Sequence, residues 1–210
     1  MIIAFEGVDN CGKTTIINKL KREFEFDSIK FPSPEGLFYS ELKAMISTGK
    51  QKSQQQKQLY FILNILSKLD YLKEYRFSAD KHILLDRFLY STIAYGEGKF
   101  QQDLFIPYKS FIEDTLQVFS PDYLIYIRKP RVYDISNKKR ANATAYDKDL
   151  YIQERARRNY EQMINSVMKY SDTLILEYIY NSPDVMYYKV KEFLVTQSML
   201  KNVLQKRNDK

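Results

Sequence analysis

The residues best suited to chemistry lie near the start of the chain. The stretch "GVDNCGKTT", Gly7 to Thr15, reads G-x-x-x-x-G-K-[ST] and sits between the apolar run "IIAF" and the segment "IINKL". A strand that runs into a glycine-bearing turn and a helix start aims several backbone N–H groups, and the positive end of the helix dipole, at one point that a phosphate can fill. Gly7 and Gly12 allow close backbone approach, and Asn10, Cys11 and Thr15 complete an expected ATP loop. Lys13 can reach the terminal phosphates, and the Thr14 hydroxyl can ligate Mg²⁺. A second segment, "LLDRFLYSTIAYG", puts Asp86 and Arg87 at the end of an apolar run. Asp86 is a candidate to orient Mg²⁺ or its water shell, and Arg87 to neutralise a phosphoryl acceptor or the group in transfer.

Both segments need elements that hold them at one edge of a sheet. The pattern predicts a strand at Ile2 to Phe5, a helix from Lys13 to about Phe24 and a strand at Ile29 to Phe31. Helices follow at Phe38 to Ile46 and Gln56 to Tyr75, then a strand in "HILLD" ending at Asp86. The remainder reads as a helix at Tyr108 to Val118, a strand at Asp122 to Ile127, a long helix around Leu150 to Tyr170, and a last strand in "DTLILEYI". Short apolar runs alternating with helices predict an α/β fold, with a parallel sheet covered by helices on both faces. Ligands then belong at the carboxyl ends of the strands.

Composition narrows the classes. The 210 residues are expected to form a single domain, with no internal repeat. No run approaches the roughly eighteen apolar residues of a membrane span, and the first apolar segment is too short for a signal peptide, so a soluble, cytoplasmic protein with no membrane partner is expected. One cysteine and one histidine leave no internal disulfide and no histidine-based metal site. His82 reads as a turn residue. A formal charge of +7 suits an anionic ligand. The Lys and Arg residues are scattered, and the tyrosines sit beside apolar neighbours, so nucleic acid is not the expected partner. Cys11, inside a loop of N–H donors, is a candidate for thiol reagents that ATP would block.

Together, "FEGVDNCGKTT" and "DRFLYSTIAYG" resemble the two signature segments of the thymidylate kinases, P-loop enzymes that move the γ-phosphoryl group of ATP onto dTMP. Phe5 to Thr15 fits F-E-G-x-D-x-x-G-K-[ST]-T throughout, and Arg87 and Ser91 fit the second pattern. The resemblance implies a three-layer α/β/α P-loop kinase with a short lid near residues 136–148, a homodimer, and Mg²⁺ bound with ATP. It implies that Asp9 approaches the sugar 3′-hydroxyl, that Lys30 in "KFP" contacts the acceptor phosphate, and that Phe61 stacks on the base. Ser91, Tyr95, Tyr146 and Gln153 join them as acceptor contacts.

The chain also departs from the family pattern. After Phe61 the family has N-R or D-R, the arginine reading the base edge, whereas this chain has Asn64 and Ile65. Ala145 stands where a lid arginine is usual, and Lys138, Lys139 and Arg140 are the candidates to supply that charge. "SPEG" replaces the Gly-Gly found after the proline in many bacterial members. The expected activity is therefore transfer of the γ-phosphoryl group to dTMP. The alternatives are a kinase for dUMP, dCMP or a modified pyrimidine nucleotide, a deoxynucleoside kinase using Asp86 as a base, or a nucleotide-binding protein without turnover.

Overall fold

Five short runs of apolar and β-branched residues form one sheet. They are β1 (Ile2–Glu6), β2 (Asp27–Lys30), β3 (Ile83–Asp86), β4 (Tyr123–Arg128) and β5 (Asp172–Glu177), in the order β2-β3-β1-β4-β5. Every neighbouring pair is parallel. The computed structural model describes residues 1–48, 54–96, 106–129, 150–164, 168–177 and 183–196.

The two faces follow from the two-residue period of a strand. Ile2 and Ala4 of β1 pack with Ile83 and Leu85 of β3 into one core, whereas Ile3 and Phe5 pack with Leu84, Ile125 and Ile127 into the other. The first core is covered by α3 (Gln54–Leu66), α4 (Leu69–Arg76), α5 (Leu89–Ala94), α6 (Ile106–Val118) and α7 (Leu150–Met163). The second is covered by α1 (Lys13–Glu23) and α8 (Pro183–Thr196), whose Ile16, Ile17, Leu20, Met186 and Val190 are buried there. The fold is thus the expected α/β type, with a parallel sheet between helical layers.

Several boundaries differ from expectation, each for a local reason. The predicted helix from Gln56 to Tyr75 is two helices, because the Ser67 hydroxyl takes the Asn64 carbonyl at 2.7 Å and the Lys68 N–H bonds to Ile65 at the tighter three-residue spacing. Phe38 lies in the left-handed region at φ 60°, so α2 (Tyr39–Thr48) begins one residue later than predicted. The helix expected to reach Tyr170 stops at Met163, and a 3₁₀ turn covers Met168–Tyr170. Neither α5 nor α8 was predicted. The lid segment lies outside the described residues. Among those residues, no helix is long and apolar enough to cross a membrane.

Candidate active site

The strand order reverses direction at β1, so the carboxyl ends of β1 and β3 open the crevice in which an α/β sheet binds ligands. Phe5 of β1 and Asp86 of β3 are in register there, as are Lys30 of β2 and Asp86. The loop after β1 is held by three residues of positive φ, Gly7 at 138°, Asn10 at 59° and Gly12 at 94°. From Gly12 the chain enters α1, and the Ile16 N–H bonds the Gly12 carbonyl at 3.1 Å. Lys13 curls into the loop, its Nζ donating to the carbonyls of Gly7 and Val8, each at 2.9 Å. Its ammonium is therefore inside the phosphate cradle that the sequence pattern predicts.

Asp86 and Arg87 are neighbours in sequence but serve opposite sides of that loop. The Thr14 hydroxyl donates to Asp86 Oδ2 at 2.6 Å. Two oxygen side chains are thus joined where a hard cation bound to phosphates would need them, and the donor set fits Mg²⁺. Among the described residues, no cluster of three or more His, Cys, Asp or Glu side chains could hold a metal. Arg87, at φ 77°, turns its side chain the other way. Its Nη1 donates to the Gly7 carbonyl and to Ser91 Oγ, both at 3.1 Å, while Nη2 pairs with Asp9 Oδ1.

Asp9 is the meeting point of three elements. Its Oδ2 accepts from Tyr95 Oη at 2.9 Å and from Gln153 Nε2 at 2.7 Å, and its backbone N–H lies 3.0 Å from the Tyr95 oxygen. Burial works to raise the Asp9 pKa, but Arg87 and Lys13, with the hydrogen bonds from Gln153 and Tyr95, hold it well below the usual carboxylate range. The Tyr95 phenol is pushed far above its ordinary value by burial and by Asp9, so it stays a donor. The Arg87 guanidinium also lies 5.0 Å from the centre of the Tyr95 ring. Five of the predicted residues, Asp9, Arg87, Ser91, Tyr95 and Gln153, therefore form one connected network.

The other predicted residues are more dispersed. Lys30 is exposed at the end of β2, and Phe61 is half-buried on α3. Thr14 and Thr15 are exposed in the first turn of α1. Cys11 is fully buried, with its sulfur 3.4 Å from Lys13 Nζ. Tyr146, Lys138, Lys139 and Arg140 lie outside the described residues. Ile65, at the place of the family arginine, is 1% exposed and belongs to the core with Phe31, Ile62 and Leu72. Asn64 is structural, its amide accepting from the Ser33 N–H at 2.7 Å and donating to the Ser33 and Leu37 carbonyls at 3.1 and 2.9 Å.

Sequence reasoning missed three residues. Glu6, which ends β1, is fully buried behind the loop and accepts from the Phe88 N–H, the Ser91 hydroxyl and the Tyr160 hydroxyl at 2.6, 2.6 and 2.7 Å. Its place as a lone carboxylate at the end of an apolar strand was the available signal. Tyr160 lies two turns beyond Gln153 on α7, a same-face spacing that could have been noticed. Lys129 is 5% exposed just past β4, its Nζ 3.5 Å from the Asp9 carbonyl. Burial lowers the Lys129 pKa, while Cys11 and Asp9 oppose that shift.

Comparison with known proteins identifies the family. The family model described as thymidylate kinase matches residues 5–187. A thymidylate kinase of Campylobacter lari is 32% identical over 133 residues, which are 60% of this chain and 63% of that protein. One from Leptospira interrogans serovar Lai is 30% identical over 104 residues, 47% of this chain and 50% of the relative. The chain thus spans about half the length of the curated Leptospira relative it matches. The solved structure of a thymidylate kinase from Candida albicans superposes with a TM-score of 0.73 at 19% identity, covering 94% of this chain and 92% of that one, and establishes likeness of fold. With the family pattern matched from Phe5 to Tyr187, this chain belongs to the thymidylate kinase family.

Proposed function

We propose that the protein transfers the γ-phosphoryl group of ATP to dTMP, giving dTDP. The observation that carries this reading is the division of the crevice into two halves around one loop, with Lys13 and the Thr14–Asp86 pair on one side and the Asp9–Arg87 pair on the other. Membership of the family supports the same assignment.

On this reading ATP lies on Gly7 to Thr15, and Lys13 exchanges the Gly7 and Val8 carbonyls for phosphate oxygens. Mg²⁺ bound with ATP, held by Thr14 and Asp86, would neutralise charge on the β- and γ-phosphates. Arg87 takes the acceptor phosphate and Asp9 the sugar 3′-hydroxyl, while Tyr95 and Gln153 hold the Asp9 carboxylate in place. An acceptor phosphate oxygen is already ionised, so no protein nucleophile is needed. Positioning and charge neutralisation then carry the reaction. Lys30, Ser91, Phe61 and Tyr146 complete the acceptor side, and Lys138, Lys139 and Arg140 the lid that excludes water. We further propose a single domain over residues 1–210, acting in the cytoplasm as a homodimer.

The test is coupled ADP release with ATP and Mg²⁺ against dTMP, dUMP, dCMP and thymidine. Selective turnover of dTMP is the expected result. Preference for another monophosphate would replace the assigned acceptor, and ADP release independent of any acceptor would remove the kinase reading.

A further inference from the structure

Glu6 has no part in the transfer reaction just described, yet it is fully buried and accepts hydrogen bonds from the N–H of Phe88, which follows Arg87 in the chain, from Ser91, which Arg87 also bonds, and from Tyr160. We propose that Glu6 is the positioning residue for Arg87, the fixed counter-charge that anchors one guanidinium nitrogen through Ser91 and leaves the other to pass between Asp9 and an anionic ligand. The identity of that ligand as an acceptor phosphate rests on the phosphoryl-transfer reading.

The backbone is the first support. Arg87 at φ 77° occupies a conformation that side chains with a Cβ rarely adopt. Its own N–H donates to the Phe5 carbonyl at 3.0 Å, and the next N–H, of Phe88, donates to Glu6 Oε1 at 2.6 Å. The end of β1 therefore grips both peptide groups that fix this turn.

The side chains supply the second. Arginine has only donors and serine a single proton. Arg87 Nη1 gives a proton to Ser91 Oγ at 3.1 Å, and Ser91 passes its own to Glu6 Oε2 at 2.6 Å, so the order Arg87 to Ser91 to Glu6 runs one way from cation to anion. Tyr160 also donates to Oε2 and lies 2.8 Å from Ser91, closing the chain against α7. Nη2 faces the other way, toward Asp9 and Tyr95. Burial raises the Glu6 pKa, and Ser91, Arg87, Tyr160 and the Phe88 N–H each pull it back. A glutamine at this position would turn an N–H₂ group toward one of these donors and break the order.

The experiment compares the wild type with Glu6→Gln, Ser91→Ala and the double variant. Steady-state kinetics with ATP and dTMP are paired with ¹⁵N spectra of the arginine side chains. Glu6→Gln should lower kcat/KM for the acceptor by about 100-fold, as expected of a misplaced binding group, and leave the KM for ATP unchanged. Both substitutions cut the same chain, so the double variant should lose no more than Glu6→Gln alone. In the spectra, the resolved Nη signals of an anchored Arg87 should collapse in either single variant. Losses that multiply, or Nη signals unchanged in Ser91→Ala, would overturn the proposal. Where Glu6→Gln does not fold, Glu6→Asp, which keeps the charge but shortens its reach to Ser91, supplies the deciding spectrum, and Nη signals unchanged from the wild type there would equally overturn the proposal. If the wild type shows no acceptor-dependent turnover, the kinase reading fails, and the spectra still decide the role of Glu6.

Discussion

Gly7 is where the loop leaves least room. Its φ is 138°, and a Cβ built there would lie 2.6 Å from the Ile127 carbonyl oxygen and 2.9 Å from the Cys11 sulfur. The oxygen belongs to the backbone of β4 and cannot move aside. Gly7→Ala should therefore cost about 1–3 kcal/mol of stability, readable by thermal or urea unfolding. Lys13 carries a different prediction, because its ammonium bonds two carbonyls and the Cys11 sulfur of its own loop. Lys13→Ala should lower kcat by about 100- to 1000-fold while far-UV circular dichroism stays native, and near-normal turnover would refute its placement on the phosphates. Asp9 adds a pH dependence. Its folded pKa lies below the unfolded one, so its contribution is present above the unfolded value of about 4 and is lost as pH falls toward the folded value. Glu6 has the opposite sign, since its raised pKa favours folding most at low pH and less as pH rises through the folded value. Acid unfolding followed by circular dichroism should show Asp9→Asn losing less stability than the wild type as pH falls below about 4.

At the scale of elements, the break between α3 and α4 positions the segment that follows β2. Asn64, one turn before the break, binds both ends of the Ser33–Leu37 loop, and Gly36 lies so close that an added Cβ would sit 2.5 Å from the Asn64 amide nitrogen. Asn64→Ala would leave the buried Ser33 N–H without its acceptor and should destabilise the protein by about 1–3 kcal/mol, measured by urea unfolding. A merely exposed loop contact would cost a few tenths. This contact also marks how far the sequence could be read. The strands were legible because a parallel sheet buries both faces and its strands appear as short apolar runs. The phosphate loop was legible because its glycines and lysine follow from backbone geometry. Helix α5 was hidden because its six residues are too short to show a period. The α3–α4 break was hidden because it depends on hydrogen bonds from Ser67 and on packing against a distant loop. Asp9, Tyr95 and Gln153 were legible only through the family pattern, since nothing local brings residues 86 and 144 positions apart into contact. Glu6 escaped because a carboxylate in a buried strand end shows its purpose only with its three donors in view.

For the whole molecule, the site is a joint between the two helical layers. Asp9 and Lys13 sit on a loop that leads into α1, which packs with α8 on one face of the sheet, where Met186 lies 3.1 Å from the position of a Gly12 Cβ. Arg87, Tyr95 and Gln153 come from the β3–α5 segment and α7 on the other face. The hydrogen bonds of Asp9 to Tyr95 and Gln153 therefore tie one layer to the other across the end of the sheet. A ligand bound between Lys13 and Arg87 would add to that tie, and any species that binds the folded state alone raises stability by RT ln(1 + [L]/Kd). At a hundred times Kd this is about 2.7 kcal/mol, which for a chain of this length corresponds to a rise in Tm of roughly 5–11 °C. ATP with Mg²⁺ should raise the Tm by itself, and dTMP should add to it, since the two are assigned to different sides of the loop. Lys13→Ala should abolish the shift from ATP and keep that from dTMP, whereas Arg87→Ala should do the reverse. Equal loss of both shifts in each variant would mean that one shared pocket, rather than two facing half-sites, binds these nucleotides. Differential scanning fluorimetry on the three proteins distinguishes the two arrangements without requiring turnover.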